Sequence, residues 1–149
     1  MTESDDLGTG GEHAPDFPPV GERVELRVPA SLANLPVVRS VAGTLATLLD
    51  QDLDAVSDLI LAVDEVCSTL IGLAVPGATV DCVFGVGGPR VSFEASVDAR
   101  PGAVPDTSSF GWQVLTTLTQ HVGCEVRPGP GGSHSVCISI VRGRTAGTG

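Results

Sequence analysis

The sequence contains no lysine: its eight basic residues are all arginines, against eighteen acidic residues, giving a formal net charge of −10. The densest basic pair is Arg142 and Arg144. Because proteins that bind nucleic acid directly present basic patches to the phosphate backbone, the sequence argues against that function. The acids are unevenly spread, with five in residues 1–16, six in residues 50–65 and no base in either stretch. We therefore expect a partner with a basic surface.

Long apolar runs are missing as well. No stretch approaches the roughly 20 uninterrupted apolar residues that a membrane span needs, and residues 1–19 lack the basic and apolar segments of a secretory signal. We expect a cytoplasmic protein that does not bind membranes. Its 149 residues suit one ordinary domain. Residues 1–20 are predicted to form a flexible acidic arm, residues 21–142 the domain, and residues 143–149 a flexible tail.

The four cysteines lack the spacing of a metal site. They are separated by 15, 42 and 13 positions, whereas structural zinc ligands come in pairs about two to four residues apart. In a reducing cytosol we expect four small buried hydrophobic residues, with a regulatory disulfide as the alternative. His121 and His134 have no serine or cysteine nucleophile motif beside them, so we expect structural or surface roles for both.

Hydrophobic periodicity predicts the first three elements. Apolar and polar residues alternate from Glu22 to Val28, as in a strand with one buried face. Apolar residues at three- and four-residue spacing then predict a helix capped by Asn34 and running to about Leu49. A longer helix follows, capped by Asp52 or Asp54 and ending before Pro76. Its predicted buried stripe is Leu53, Val56, Ile60, Val63, Cys67, Leu70 and Ile71.

The second half of the chain predicts two hairpins with a helix between them. Ser109 is expected to cap this third helix, which runs through about Val122. The predicted strands are residues 79–85, 90–97, 124–127 and 134–141. The whole order, strand, helix, helix, strand, strand, helix, strand, strand, predicts an α+β fold. We expect a two-layer sandwich in which about three helices cover one face of a mixed β-sheet.

One face of the long helix is predicted to be polar and to lie opposite the buried stripe. Its polar residues are Asp54, Asp58, Glu65 and Thr69. A solvated acidic face is the ordinary interpretation of such a pattern. The same face also carries Leu61, Ala62 and Gly72, which a purely solvated face would not favour. A cleft over this face is the alternative.

Residues 59–71 read Leu-Ile-Leu-Ala-Val-Asp-Glu-Val-Cys-Ser-Thr-Leu-Ile. This stretch resembles the N-box of actinobacterial anti-sigma factors of the RsbW-like type, in the GHKL (histidine kinase-like ATPase) superfamily. The resemblance implies a Bergerat-like ATP-binding fold. It also implies that Glu65 is a general base, and that Thr69 stands at the position of an asparagine that helps to bind magnesium and the nucleotide. Residues at i and i+4 share a helix face, as such a pair requires.

Two further motifs of that family have partial counterparts. Its Asp-x-Gly-x-Gly loop, which binds adenine, matches a stretch in which Asp98 and Gly102 are retained and Arg100 replaces the middle glycine. Without the family, Asp98 is a turn residue at a strand end. A Gly-x-Gly-Leu motif receives phosphates at a helix N-terminus, and the resemblance gives that role to Ser109 and Gly111.

The resemblance implies an anti-sigma factor that sequesters an alternative sigma factor of the stress or sporulation type. Release would follow when a STAS-type anti-anti-sigma protein competes for it. The altered motifs favour a degenerate ATP site. The alternative is an active serine/threonine-protein kinase that uses ATP and Mg²⁺ to phosphorylate its antagonist. The family also implies a homodimer, and we predict that Asp54 and Asp58 steer the sigma factor electrostatically.

Overall fold

The structure is a computed structural model that describes residues 22–49, 52–87 and 90–143. The predicted N-terminal arm and almost all of the predicted C-terminal tail lie outside the described residues. The helices and strands are β1 (Glu22–Pro29), α1 (Leu35–Leu48), α2 (Leu53–Leu73), β2 (Thr79–Gly87), β3 (Arg90–Ala99), α3 (Phe110–Leu118), β4 (His121–Pro128) and β5 (His134–Gly143). Short 3-10 turns lie at Leu32–Asn34 and Pro130–Gly132.

The five strands form one sheet in the order β1-β2-β3-β5-β4. The predicted α+β two-layer fold is confirmed, with α2 in contact with β3 and flanked by α1 and α3. The prediction of a mixed sheet is wrong, because all four strand pairings among the described residues are antiparallel. Alternation reveals that a segment is a strand but carries no information on its direction. Here the hairpins and the helical connections alike bring each strand in antiparallel to its neighbour.

The core lies between the sheet and the helices. Alternate side chains of the central strands point towards α2, and the rings of Phe84 and Phe93 pack together there with centroids 4.7 Å apart. Each fully buried leucine or phenylalanine side chain stabilises the fold by about 1.5–3 kcal/mol. The largest fully buried side chains include Phe84, Phe93, Leu59, Leu70, Leu115, Ile138 and Ile140.

Helix α2 is buried on more sides than its periodicity predicted. Asp52 caps it as expected, since its Oδ1 accepts a hydrogen bond from the backbone N–H of Ala55 at 2.7 Å. Leu53 was predicted to be buried but is 84% exposed, whereas Ala62 was placed on the polar face and is fully buried. The single-stripe prediction was wrong here because α2 has a helix on each flank as well as the sheet beneath it.

Helix α3 begins as predicted but ends earlier. The Ser109 hydroxyl accepts a hydrogen bond from the backbone N–H of Trp112 at 3.1 Å. The helix stops at Leu118, and Val122 lies in β4, paired with Ile140. Several β-branched residues near this end favour an early stop. One of them, Thr119, adopts an extended backbone and its hydroxyl donates to the Leu115 carbonyl at 2.7 Å.

Asn34 occupies the N-cap position of α1 but its side chain does not cap the helix. Its Nδ2 instead donates a hydrogen bond to the Pro29 carbonyl at 2.9 Å, which ties the start of α1 to the end of β1. Ser31 caps the preceding 3-10 turn by accepting from the backbone N–H of Ala33. Asn34 therefore holds the predicted N-cap position but lacks the side-chain bond of a cap, because its backbone is already helical (φ −94°, ψ −2°) at the end of the 3-10 turn.

Candidate functional site

Glu65 and Thr69 lie one turn apart on α2, and both side chains are partly buried. The Thr69 hydroxyl donates a hydrogen bond to Oε2 of Glu65 at 3.3 Å. The predicted i, i+4 pair on one helix face is therefore present. The hydroxyl that would replace the family's asparagine amide is already engaged with the carboxylate beside it.

The first turn of α3 passes directly over Glu65. A Cβ atom built on Gly111 would lie 2.7 Å from Cδ of Glu65 and 3.3 Å from its Oε1, and it would overlap Oε2. Only glycine fits at this position without moving the carboxylate. Ser109, the cap of α3, belongs to the same turn. The fold thus gathers Glu65, Thr69, Ser109 and Gly111 at one place between two helices.

Asp98 and Gly102 are not part of that group. Val97 and Ala99 are buried on the helix-covered side of β3, so the exposed Asp98 between them points to the other side of the sheet. Gly102 lies in an exposed turn with a φ of 76°, where the space around its Cα is open. The two residues assigned to adenine are therefore separated from Glu65 by the sheet and by a loop.

Arg100 has a role that sequence reasoning missed. Its Nη1 donates hydrogen bonds to the backbone carbonyls of Gly72 at 2.9 Å and Ala74 at 3.4 Å, and its own backbone N–H donates to Leu73 at 3.0 Å. The last carbonyls of a helix have no partner within it, and an arginine there also complements the helix dipole. Arg100 therefore caps α2. Arg100 is far along the chain from the end of α2, so no local sequence pattern indicates this contact.

The two acids predicted to steer a partner have different surroundings. Asp58 forms an ion pair with Nη2 of Arg142 at 3.0 Å, and both side chains are largely shielded, with 32% and 18% of their surfaces exposed. Nη1 of the same arginine donates a hydrogen bond to the Leu118 carbonyl, at the end of α3, at 2.8 Å. Asp54 is exposed in the first turn of α2. Asp58 therefore joins α2, α3 and β5, and Asp54 is the acid open to a partner.

An apolar groove runs between α2 and α3. It has a volume of about 580 Å³. Phe110 at the start of α3 is 83% exposed, and Leu61 on α2 is 55% exposed. The sequence analysis noted Leu61 as out of place on a polar face but did not single out Phe110. The groove is lined by Leu61, Phe110, Gln113, Val114, Thr117 and Leu118.

The four cysteines are free and have three different environments. Cys67 and Cys82 are buried, and the hydrogen bond between their side chains, together with burial, raises the pKa of Cys67. Burial and the nearby Glu94 raise the pKa of Cys137, whose thiol donates to Oε2 of that glutamate at 3.0 Å. Cys124 is exposed and Cys137 is only half-buried, so the prediction of four buried cysteines is wrong at both positions. Cys124 lies on β4, an edge strand with only one neighbour.

Within residues 22–49, 52–87 and 90–143, no group of three or more histidine, cysteine, aspartate or glutamate side chains is placed to hold a metal ion. None of the helices in those ranges is both long and apolar enough to cross a membrane.

Known proteins are similar to this chain over part of its length. No protein-family model matches the chain. Over 99 residues it is 46% identical to the anti-sigma-F factor RsbW of Mycobacterium tuberculosis, in strain CDC 1551 / Oshkosh and in strain ATCC 25618 / H37Rv. The chain is a relative of RsbW-like anti-sigma factors. The predicted resemblance is thereby confirmed.

The similarity to RsbW is partial in extent. The aligned segment covers 66% of this chain and 59% of each mycobacterial protein, so the chain matches less than two thirds of those relatives. The comparison supports the anti-sigma type over that segment.

Proposed function

We propose that this chain is an anti-sigma factor that sequesters an alternative sigma factor of the stress or sporulation type in the cytoplasm. The 46% identity over 99 residues to an anti-sigma-F factor is the observation that carries this proposal. Sequestration requires only a binding surface, and release by a STAS-type anti-anti-sigma protein requires only competition for that surface. The acidic charge of the chain fits a basic partner rather than nucleic acid.

The groove between α2 and α3 is the surface that we assign to the sigma factor. Phe110 and Leu61 are large apolar side chains left exposed side by side, and such anchors carry most of the energy of protein interfaces. The exposed Asp54 lies on the same helix as Leu61. With a net charge of −10 on the chain, the fitting occupant is an amphipathic helix with one apolar face and flanking basic residues.

A binding experiment with matched variants tests this assignment. Purified alternative sigma factors of the chain's own organism are titrated against wild type, Phe110→Ala, Leu61→Ala and Leu53→Ala. We expect Phe110→Ala and Leu61→Ala to weaken binding by about tenfold or more, as losing an anchor does. Leu53→Ala is the control, because Leu53 is an equally apolar and even more exposed residue of the same helix outside the groove. Binding of none of the sigma factors would refute the function itself.

Electrostatic steering is tested separately through association rates. Asp54→Lys should slow association with the sigma factor at low salt, because rim charges act mainly on the encounter rate. Glu25→Lys, an equal charge change on the exposed side of the edge strand β1, is the control. Equal rates for the two variants would refute steering by Asp54. Asp58 is unsuitable for this test since its reversal would also break the ion pair with Arg142.

A serine/threonine kinase that phosphorylates its antagonist is the second candidate. The observation in its favour is that Glu65 lies on one helix face with Thr69, next to the start of α3. In that function Glu65 would accept the proton of the attacking hydroxyl, and ATP with Mg²⁺ would supply the phosphoryl group. Transfer of label from ATP to a STAS-type antagonist, lost in Glu65→Ala, would support the kinase. No transfer at saturating nucleotide would exclude it.

The relationship also leads us to propose a homodimer. Sedimentation equilibrium of the purified chain, alone and with a sigma factor, measures the mass of each species. A mass of two chains that persists in Phe110→Ala would place the dimer contact outside the groove. A loss of the dimer in that variant would instead make the groove the site of a second copy, and the sigma factor would need another surface.

A further inference from the structure

The contact between Glu65 and Gly111 leaves no space for a phosphate group between them as the carboxylate is placed. A single carbon atom added at Gly111 overlaps the Glu65 carboxylate, with 2.7 Å to its Cδ. A phosphate group is larger than that carbon, and it carries negative charge that the carboxylate would repel. A γ-phosphate could reach the space between Glu65 and the glycine motif only if this carboxylate turned away from Gly111.

The remaining residues of the implied site do not fit Mg-ATP either. The Thr69 hydroxyl donates to Glu65, so its hydrogen points at the carboxylate that a metal would need as a neighbour. Asp98, the adenine-binding residue of the resemblance, faces away from α2 across the sheet. Arg100, at the middle glycine of the adenine loop, is bound to the end of α2. The disagreement thus extends from the phosphate end to the adenine end.

We propose that Glu65 is a positioning residue for α3 and not a catalytic base. The first backbone N–H groups of a helix have no partner within it and carry partial positive charge, so a carboxylate beside the first turn stabilises the helix. Glu65 supplies that charge from α2, and Gly111 permits the close approach. At the other end, Arg142 binds the Leu118 carbonyl and Asp58 of α2. The two contacts fix α3 on α2 and hold Phe110 in its exposed position.

A double-mutant cycle tests the contact on the purified chain alone. Gly111→Ala should lower the melting temperature by about 2–4 °C, because the new methyl group pushes the flexible Glu65 carboxylate away from the first turn of α3. Gly72→Ala, also a glycine replaced within a helix, is the control, since nothing lies within 4 Å of its added Cβ; it should leave the melting temperature unchanged or higher. Combining Gly111→Ala with Glu65→Ala should recover much of the loss. Strict additivity of the two changes would overturn the proposal.

Glu65→Gln tests the positioning role separately, and it serves if Gly111→Ala does not fold. Glutamine has the same shape but no charge, so a positioning carboxylate predicts a lower melting temperature in this variant. A catalytic carboxylate in an open site predicts an unchanged or raised one, because active-site groups usually cost stability. An unchanged or raised melting temperature for Glu65→Gln would therefore overturn the positioning role.

Nucleotide binding gives the second readout. Melting of the wild-type chain in millimolar Mg-ATP or Mg-ADP should show no upward shift, whereas a ligand far above its dissociation constant would raise the melting temperature by several degrees. An upward shift that Glu65→Ala removes would overturn the proposal. Both measurements use the chain without a sigma factor, so their outcome is independent of whether the proposed anti-sigma function is correct.

Discussion

The residues that the family resemblance assigns to a nucleotide site fall into two regions that differ in their contacts. The helix-borne region consists of Glu65, Thr69, Ser109 and Gly111, and the loop-borne region of Asp98, Arg100 and Gly102. On α2 and α3, Glu65 and Gly111 are brought into direct contact. On β3 and the turn after it, Asp98 points away and Arg100 is bound to a helix end. The helix-borne residues keep their mutual geometry because they also pack the fold together. The loop-borne residues have no such constraint, and one of them serves a structural purpose instead.

This difference reflects how helices and loops hold side chains in place. A residue pair at i, i+4 on a buried helix keeps its spacing as long as the helix exists. A loop keeps a ligand-binding shape only through residues that accept unusual backbone angles or leave room for the ligand. Four changes test whether the helix-borne region is structural and the loop-borne region dispensable.

Leu70→Ala should have the largest effect, since Leu70 is fully buried on α2 one turn beyond Val66 and beneath the helix-borne site. We expect a loss of about 2–5 kcal/mol in the free energy of unfolding from the missing side chain and the cavity it leaves. Urea denaturation followed by circular dichroism measures it. Leu53→Ala, at an exposed leucine of the same helix, should change stability by less than about 0.5 kcal/mol. Similar losses in both variants would show that α2 is not anchored as described.

The order of elements and the type of fold could be predicted from the sequence, because strands and helices leave periods of two and of three to four residues. Asp52 and Ser109 were identified as caps because a cap bonds within its own turn. The sheet direction and the second buried side of α2 could not be predicted. They depend on which elements pack together, and a single helix period does not show that Ala62 has a neighbour above it.

The candidate site divides in the same way. The pairing of Glu65 with Thr69 could be predicted from spacing alone, and the structure has it. The contacts of Gly111 with Glu65, of Arg100 with α2 and of Arg142 with Asp58 could not, since each joins residues far apart in sequence. These three contacts decide what the site is able to do. Spacing therefore predicted the Glu65–Thr69 pair but not the long-range contacts around it.

Asp58→Ala should have the second largest effect and separates the two acids of α2. Removing Asp58 leaves the shielded Arg142 without its ion-pair partner, and we expect a loss of about 1–3 kcal/mol in the free energy of unfolding. Asp54→Ala, at an exposed position, should lie within about 0.5 kcal/mol of wild type. Chemical denaturation of the two variants under one set of conditions measures the loss in the free energy of unfolding for each. An equal loss of stability in both variants would contradict a structural role for the Asp58–Arg142 ion pair at the end of α3.

Arg100→Gly tests the loop-borne region directly, because it restores the glycine of the family motif. Losing the hydrogen bonds to the end of α2 should cost about 0.5–1.5 kcal/mol. Arg100→Ala removes the same bonds without adding the backbone freedom of glycine and is the matched control. We expect neither variant to melt at a higher temperature when Mg-ATP is added. An upward shift in Arg100→Gly would mean that this one arginine blocks an otherwise working pocket.

Ser108→Ala should have the smallest effect and reports on the connection between β3 and α3. The Ser108 side chain and backbone N–H both donate to Oδ1 of Asp106, at 2.7 and 2.9 Å, and these bonds lower the pKa of Asp106 from its ordinary 3.8. A lowered pKa in the folded state means that this contribution to stability is present above the unfolded pKa and lost as pH falls through the folded one. Because Asp106 is fully exposed, solvent screening keeps the contribution small.

A carbon-13 NMR titration should show the pKa of Asp106 rising in Ser108→Ala, because the stronger of the two bonds is gone while the backbone bond remains. An unchanged pKa would mean that this turn is not ordered in solution, and the loop-borne region would then lack fixed structure as well as a ligand.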